Sequence, residues 1–351
     1  MAVHTIQQLQ HTAGREDYML SVSFRLLLWL YAVIPVCLLL QLLDHSFWGG
    51  YLQHALPTSP RGFLLFQILF GTPHIVASTI LITTNKDYLN IYKAKILWMT
   101  LALALFFGIG SQFLSYRFLY ILVASWTVYH VLKQQHGVAR GICKLSGWRF
   151  YLQLWLSIAA GILVYLGIFL KNSLQPEQAE MIRQMSAVLC LVLVASTVLC
   201  QRSIASLFGK VFLWANTFLV LSSFYLYLQQ YYFLAILVPR LVHDATAYIF
   251  YVTHDYNRHH VHPQNFIYRF ANSLKINIFI VLPALSFALA YILQRYGDDY
   301  FYRIFDYLFG VEIHKAITLG LLGYLALMHY YTEAFAWKKG SPLRQYITFS
   351  K

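Results

Sequence analysis

Four histidines set in long apolar runs are the residues of this chain best placed to do chemistry: His74, His130, His243 and His329. An ionisable side chain at membrane depth is costly, so the default reading is a functional site, and a neutral imidazole is a common metal ligand. Two carboxylates accompany the histidines. Asp244 follows His243 directly, and Glu333 stands four residues after His329, on the same helical face. Either could fix the tautomer of its histidine from outside a metal's coordination sphere, or bind the metal through oxygen. Nitrogen and oxygen donors with open positions suit Fe(II). The four cysteines (Cys37, Cys143, Cys190 and Cys200) lack CxxC spacing, which argues against a disulfide framework, structural zinc or an iron–sulfur cluster. The plainer alternatives are that any one histidine is a hydrogen-bonded link between helices, and that Glu333 snorkels beside Trp337 and Lys338.

The elements that must position these groups follow from composition. Of 351 residues, 59% are hydrophobic and 11% charged, against roughly 25% charged in soluble domains; mean hydropathy is +0.56. This excludes a soluble globular enzyme, a disordered chain and a nucleic-acid-binding domain, although the net charge is +13. The chain reads as one domain, 1–351, an all-α polytopic membrane bundle. Ten spans are expected, near 20–43, 62–83, 96–115, 117–133, 150–170, 184–201, 208–229, 231–253, 275–294 and 315–336. Residues 1–19 form a polar N-terminal segment and 337–351 a basic tail. Seventeen Lys and Arg residues fall on one side and seven on the other, which places both termini in the cytoplasm. The excess charge also favours contact with anionic membrane lipids.

With that orientation, the four histidines lie on the second, fourth, eighth and tenth spans. They are the 13th, 14th, 13th and 15th residues from the outer ends. At a rise of 1.5 Å per residue their depths agree to within about 3 Å. Imidazoles at one level can meet in a bundle core, as ligands do in helical metal proteins. Gly71 and Pro73 are expected to bend the second span beside His74, and Pro239 the eighth span before His243.

A second polar layer lies toward the cytoplasm, with His136 after the fourth span and His254, Asp255, His259 and His260 after the eighth. His243 and His254 are eleven residues apart, or about 16 Å along a regular helix, so they cannot share a metal. The lower layer is either a proton relay, a second metal site or a polar cap. Arg258 could hold a phosphate or a lipid headgroup. Aromatic runs such as Tyr248 to Tyr251 suit either an apolar ligand cavity or interface anchoring.

The order of these elements resembles the Brp/Blh family of bacterial and archaeal membrane β-carotene dioxygenases. Gly71-Thr72-Pro73-His74 matches that family's first motif, His130 follows 56 residues on, His243 lies in the late helix and His329 in the last span. Where the family's late helix has a second histidine four residues after the first, this chain has Ala247, four residues after His243. The resemblance implies non-haem iron, one or two ions, held by the four histidines and acting with O2 on an apolar substrate. A bacterial cytoplasmic membrane is the expected location. The first expectation is therefore a membrane oxygenase acting on a carotenoid, an acyl lipid or a terpenoid, with an electron donor where the chemistry needs one. The alternatives are a b-type haem protein exchanging electrons with quinone and a proton-coupled transporter or lipid-handling protein.

Overall fold

The computed structural model describes residues 19–58, 71–311 and 316–350. The polar segment 1–18, residues 62–70 of the second expected span and residue 315 at the start of the tenth lie outside them. The structure is 82% helical, as an all-α fold requires. In chain order the elements are β1 (Ser21–Ser23), α1 (Phe24–Phe47), α2 (Tyr51–Ala55), α3 (Thr72–Thr83), α4 (Lys86–Ile109) and α5 (Tyr116–Cys143). There follow α6 (Gly147–Phe169), α7 (Pro176–Gln201), α8 (Leu207–Leu228), α9 (Tyr232–His259) and α10 (Phe266–Ser273). The chain closes with α11 (Ile278–Phe309, carrying a π turn at Leu293–Gly297), α12 (Leu322–Ala336) and β2 (Thr348–Ser350).

Seven of these helices are long and apolar enough to cross a membrane: α1, α4, α6, α7, α8, α9 and α11. Of the other three expected spans, the second is described only as the short α3. The fourth falls in α5, whose C-terminal half carries Lys133, Gln134, Gln135, His136 and Arg140, and the tenth covers a π turn at Ala316–Leu321 followed by α12. Polar residues at the boundaries start the helices. The hydroxyls of Ser115 and Ser206 accept from the N–H groups of Phe118 and Gly209, and the side chains of Asn265 and Asn277 from those of Tyr268 and Phe279. Large apolar side chains face outward along these helices, among them Trp29, Trp98 and Leu207. A water-soluble monomer rarely shows such a surface, whereas lipid tolerates it.

The chain divides into two compact units. The first comprises Met1–Leu27, Ile68–Ala104 and Thr246–Lys351. Its apolar core gathers Ile80, Leu81, Tyr88, Ala247, Tyr251 and Leu282. Ala247 is wholly buried in that cluster, so an imidazole at this position would have to displace core side chains. The two strands pair in parallel, with Val22 opposite Phe349. The Asn257 amide ties both ends of the unit together: its Nδ2 donates to the carbonyls of Leu20 and Tyr346 at 2.8 Å each, and its Oδ1 accepts from the Leu20 N–H at 2.7 Å.

The second unit comprises Leu28–Gln67 and Leu105–Ala245. Helices α6, α7 and α8 are joined by side-chain hydrogen bonds, from Gln153 Nε2 to Ser196 Oγ at 2.7 Å, from Thr197 to Gln153 Oε1 at 3.2 Å and between Thr197 and Thr217 at 2.8 Å. Such bonds and small residues replace the hydrophobic effect between helices in lipid. Gly167 of α6 faces the Tyr227 phenol so closely that an added Cβ would collide with it. Gly167→Ala is therefore expected to push the ring aside at a cost of about 1–3 kcal/mol, read as a lower melting temperature in detergent. Pro239 stands inside α9 without interrupting it. The Ala235 carbonyl, which the proline ring cannot serve, accepts from Ser223 Oγ of α8 at 2.6 Å.

Candidate metal centre

The structure gathers the four histidines into two edge-to-face pairs, one in each unit. In the first unit His74, from the first turn of α3, meets His329 of α12, their ring centres 4.9 Å apart and inclined at 77°. In the second, His130 of α5 meets His243 of α9 at 4.8 Å and 82°. All four rings are buried. Two imidazoles bound side by side to one metal through bonds of about 2.1 Å hold their centres roughly 4.5–5 Å apart. Each pair therefore has the spacing of two adjacent ligands, and the His74 and His329 nitrogens also lie within 4.8 Å of each other. The donor set fits iron or another metal that accepts nitrogen and oxygen. The thiols play no part: Cys143 donates to the Gly209 carbonyl at 3.1 Å, and the other three cysteines are likewise buried and unbridged.

The surroundings of His329 fix its orientation. The Tyr251 hydroxyl, from α9, donates to Glu333 Oε1, and the Trp337 indole N–H donates to the same oxygen at 2.9 Å. With its proton committed to Glu333, the phenol oxygen acts as acceptor toward His329 Nδ1, 3.3 Å away, and Ser78 Oγ lies 3.0 Å from the same nitrogen. The network therefore assigns the His329 proton to Nδ1, which makes Nε2 the atom a metal would take. Glu333 is held by Tyr251 and Trp337, and one of its oxygens also lies within 4.8 Å of a His329 nitrogen, so both roles read from the sequence stay open to it. In the second unit Asp244 Oδ1 lies 3.9 Å from His243 Nε2 and 3.7 Å from the Arg240 guanidinium, and this ion pair is buried.

Gly71 and Pro73 are among the first described residues of the second expected span, immediately ahead of His74. The remaining polar residues form separate arrangements. His136 joins two helices of the second unit through Nδ1 to the Leu132 carbonyl at 3.0 Å and Nε2 with Ser157 at 3.2 Å. In the first unit His254 Nε2 meets the Tyr88 hydroxyl at 2.9 Å, and Asp255 accepts from Tyr268. His259 stacks on the Tyr268 ring at 4.0 Å, and its Nδ1 accepts from the Gln264 N–H. That bond places the His259 proton on Nε2, 3.9 Å from Asp255 Oδ1. His260 stacks on Tyr256. Arg258 pairs with Asp87 at 2.7 Å and lies over the rings of Tyr88 and Tyr346.

Ser78 was not singled out from the sequence, Tyr251 was named only within an aromatic run and Trp337 only as a neighbour of Glu333, yet all three adjoin the candidate site. Ser78 and Trp337 each had a local signal, four residues beyond His74 and Glu333 respectively. The chain matches no protein-family model, no curated protein and no solved structure.

Proposed function

We propose that this chain is a multi-pass membrane oxygenase whose iron is held by His74, His130, His243 and His329, with both termini in the cytoplasm. The observation that carries the reading is the arrangement of four buried imidazoles as two edge-to-face pairs, one of them oriented by Ser78 and Tyr251. Their common depth, counted along the sequence, supports a shared role. Non-haem iron there would supply O2 activation against a lipophilic substrate such as a carotenoid, an acyl chain or a terpenoid. The chain's own residues do the rest. Ser78 and Tyr251 hold the His329 ring, Glu333 holds the phenolic proton of Tyr251, and Asp244 stands beside His243 with its charge offset by Arg240.

Metal analysis and an absorption spectrum on detergent-purified protein test this directly. The expected result is one or two irons per chain without a Soret band, lost in a His74→Ala/His243→Ala variant. A Soret band would replace the reading with a haem protein. No stoichiometric metal in an anaerobic preparation would overturn both and favour a proton-coupled transporter.

A further inference from the structure

The first unit holds a row of oxidisable side chains beside His329 that metal binding does not require. Tyr251 is buried, and its hydroxyl donates to Glu333 Oε1, the oxygen that also accepts the Trp337 indole N–H. The Tyr251 and Trp337 ring centres are 5.6 Å apart. Trp337 is only half-buried, and its ring lies 6.4 Å from His254, which packs on half-buried Tyr346 at 5.2 Å. The row thus leads from a candidate ligand to the surface through rings in contact. A phenol is readily oxidised only when its proton has somewhere to go, and here an accepting carboxylate is already hydrogen-bonded to it. A carboxylate that merely tied α9 to α12 would not need an indole as its second donor.

We propose that Tyr251 and Trp337 form an electron-transfer pair that discharges the metal centre when O2 has oxidised it without substrate in place. The inference rests on the metal reading above. One electron passes from Tyr251 to the oxidised centre while the phenolic proton moves to Glu333. Trp337 then gives one electron to the tyrosyl radical, and Glu333 returns the proton to the Tyr251 oxygen. The oxidised indole passes its N–H proton to Glu333. A water-soluble thiol reaching the half-buried Trp337 gives it one electron, becoming a thiyl radical and releasing its own proton to water, and Glu333 returns the proton to the indole. The centre gains the one electron that the thiol loses, and no proton is left over in the protein.

The test exposes iron-loaded, full-length protein to O2 without substrate or thiol, followed by freeze-quenched electron paramagnetic resonance and peptide mass spectrometry. A tyrosyl radical is expected, with oxidation products concentrated at Trp337 although Trp29 and Trp98 are far more exposed, at 74% and 70%. Tyr251→Phe should abolish the radical and return Trp337 oxidation to the level of iron-free protein. Trp337→Phe should prolong the radical, and Trp337→Tyr should restore its normal decay. Oxidation that follows exposure, or that Tyr251→Phe leaves unchanged, overturns the pair while iron remains bound. Absence of iron overturns the metal reading itself, and the pair with it.

Discussion

Arg240→Leu is expected to destabilise the second unit by about 3–5 kcal/mol, because it removes the guanidinium that offsets the buried Asp244 carboxylate. The Arg240 and Asp244 side chains are 9% and 1% exposed, and 3.7 Å separates them along one turn of α9. Water cannot take over the role of the lost guanidinium at such a position unless the packing around the carboxylate opens. Arg240→Leu/Asp244→Leu should regain most of the loss, since apolar residues of similar volume commonly replace a buried pair at little cost. Unfolding titrations in mixed detergent micelles would compare the three proteins. Equal losses in the single and double variants would show that the two side chains do not act as a unit, and that the cost lies in packing volume.

Ser78→Ala is expected to weaken metal binding about 10- to 100-fold, the usual loss when a group that orients a ligand is removed. Ser78 Oγ is 3.0 Å from His329 Nδ1 and is the nearer of the two oxygens around that nitrogen. Without it the ring loses the nearer of the two oxygens described at Nδ1 and gains freedom to turn away from His74. Ser78→Thr retains the hydroxyl and should retain the affinity. Competition against a chelator of known strength reads both variants, and unchanged affinity in Ser78→Ala would remove the hydroxyl from the site.

Much of the helical architecture was legible from hydropathy, because each apolar run must satisfy its backbone internally. The turn at Ser115 and the break at Gln229 and Gln230 fall where expected, the first marked by a capping hydroxyl and the second by a positive φ at Gln230. Helix ends were less legible. The expected fourth span stops at residue 133, yet α5 continues to Cys143, and α4 begins at Lys86 instead of 96. Hydropathy marks where a chain leaves lipid, while a helix continues as long as its backbone bonds and neighbours allow. The four histidines stood out by type and depth, but which ring meets which did not, since depth carries no information about the lateral order of helices. Tyr251 was hidden for a related reason: its partners lie 78 and 82 positions away, and no local spacing encodes a contact made by packing.

The parallel pairing of β1 with β2 has a mechanical consequence. Ser21 faces Thr348 and Ser23 faces Ser350, so tension drawing β1 back from its N-terminal end and β2 forward from its C-terminal end acts along the strands in opposite directions. The rungs are then loaded together in shear and not peeled one at a time. With Asn257 bonded to Leu20 and Tyr346 beside them, the two ends form a force-bearing clamp on α9, and a tether pulled from both termini meets this clamp before it can extract a helix.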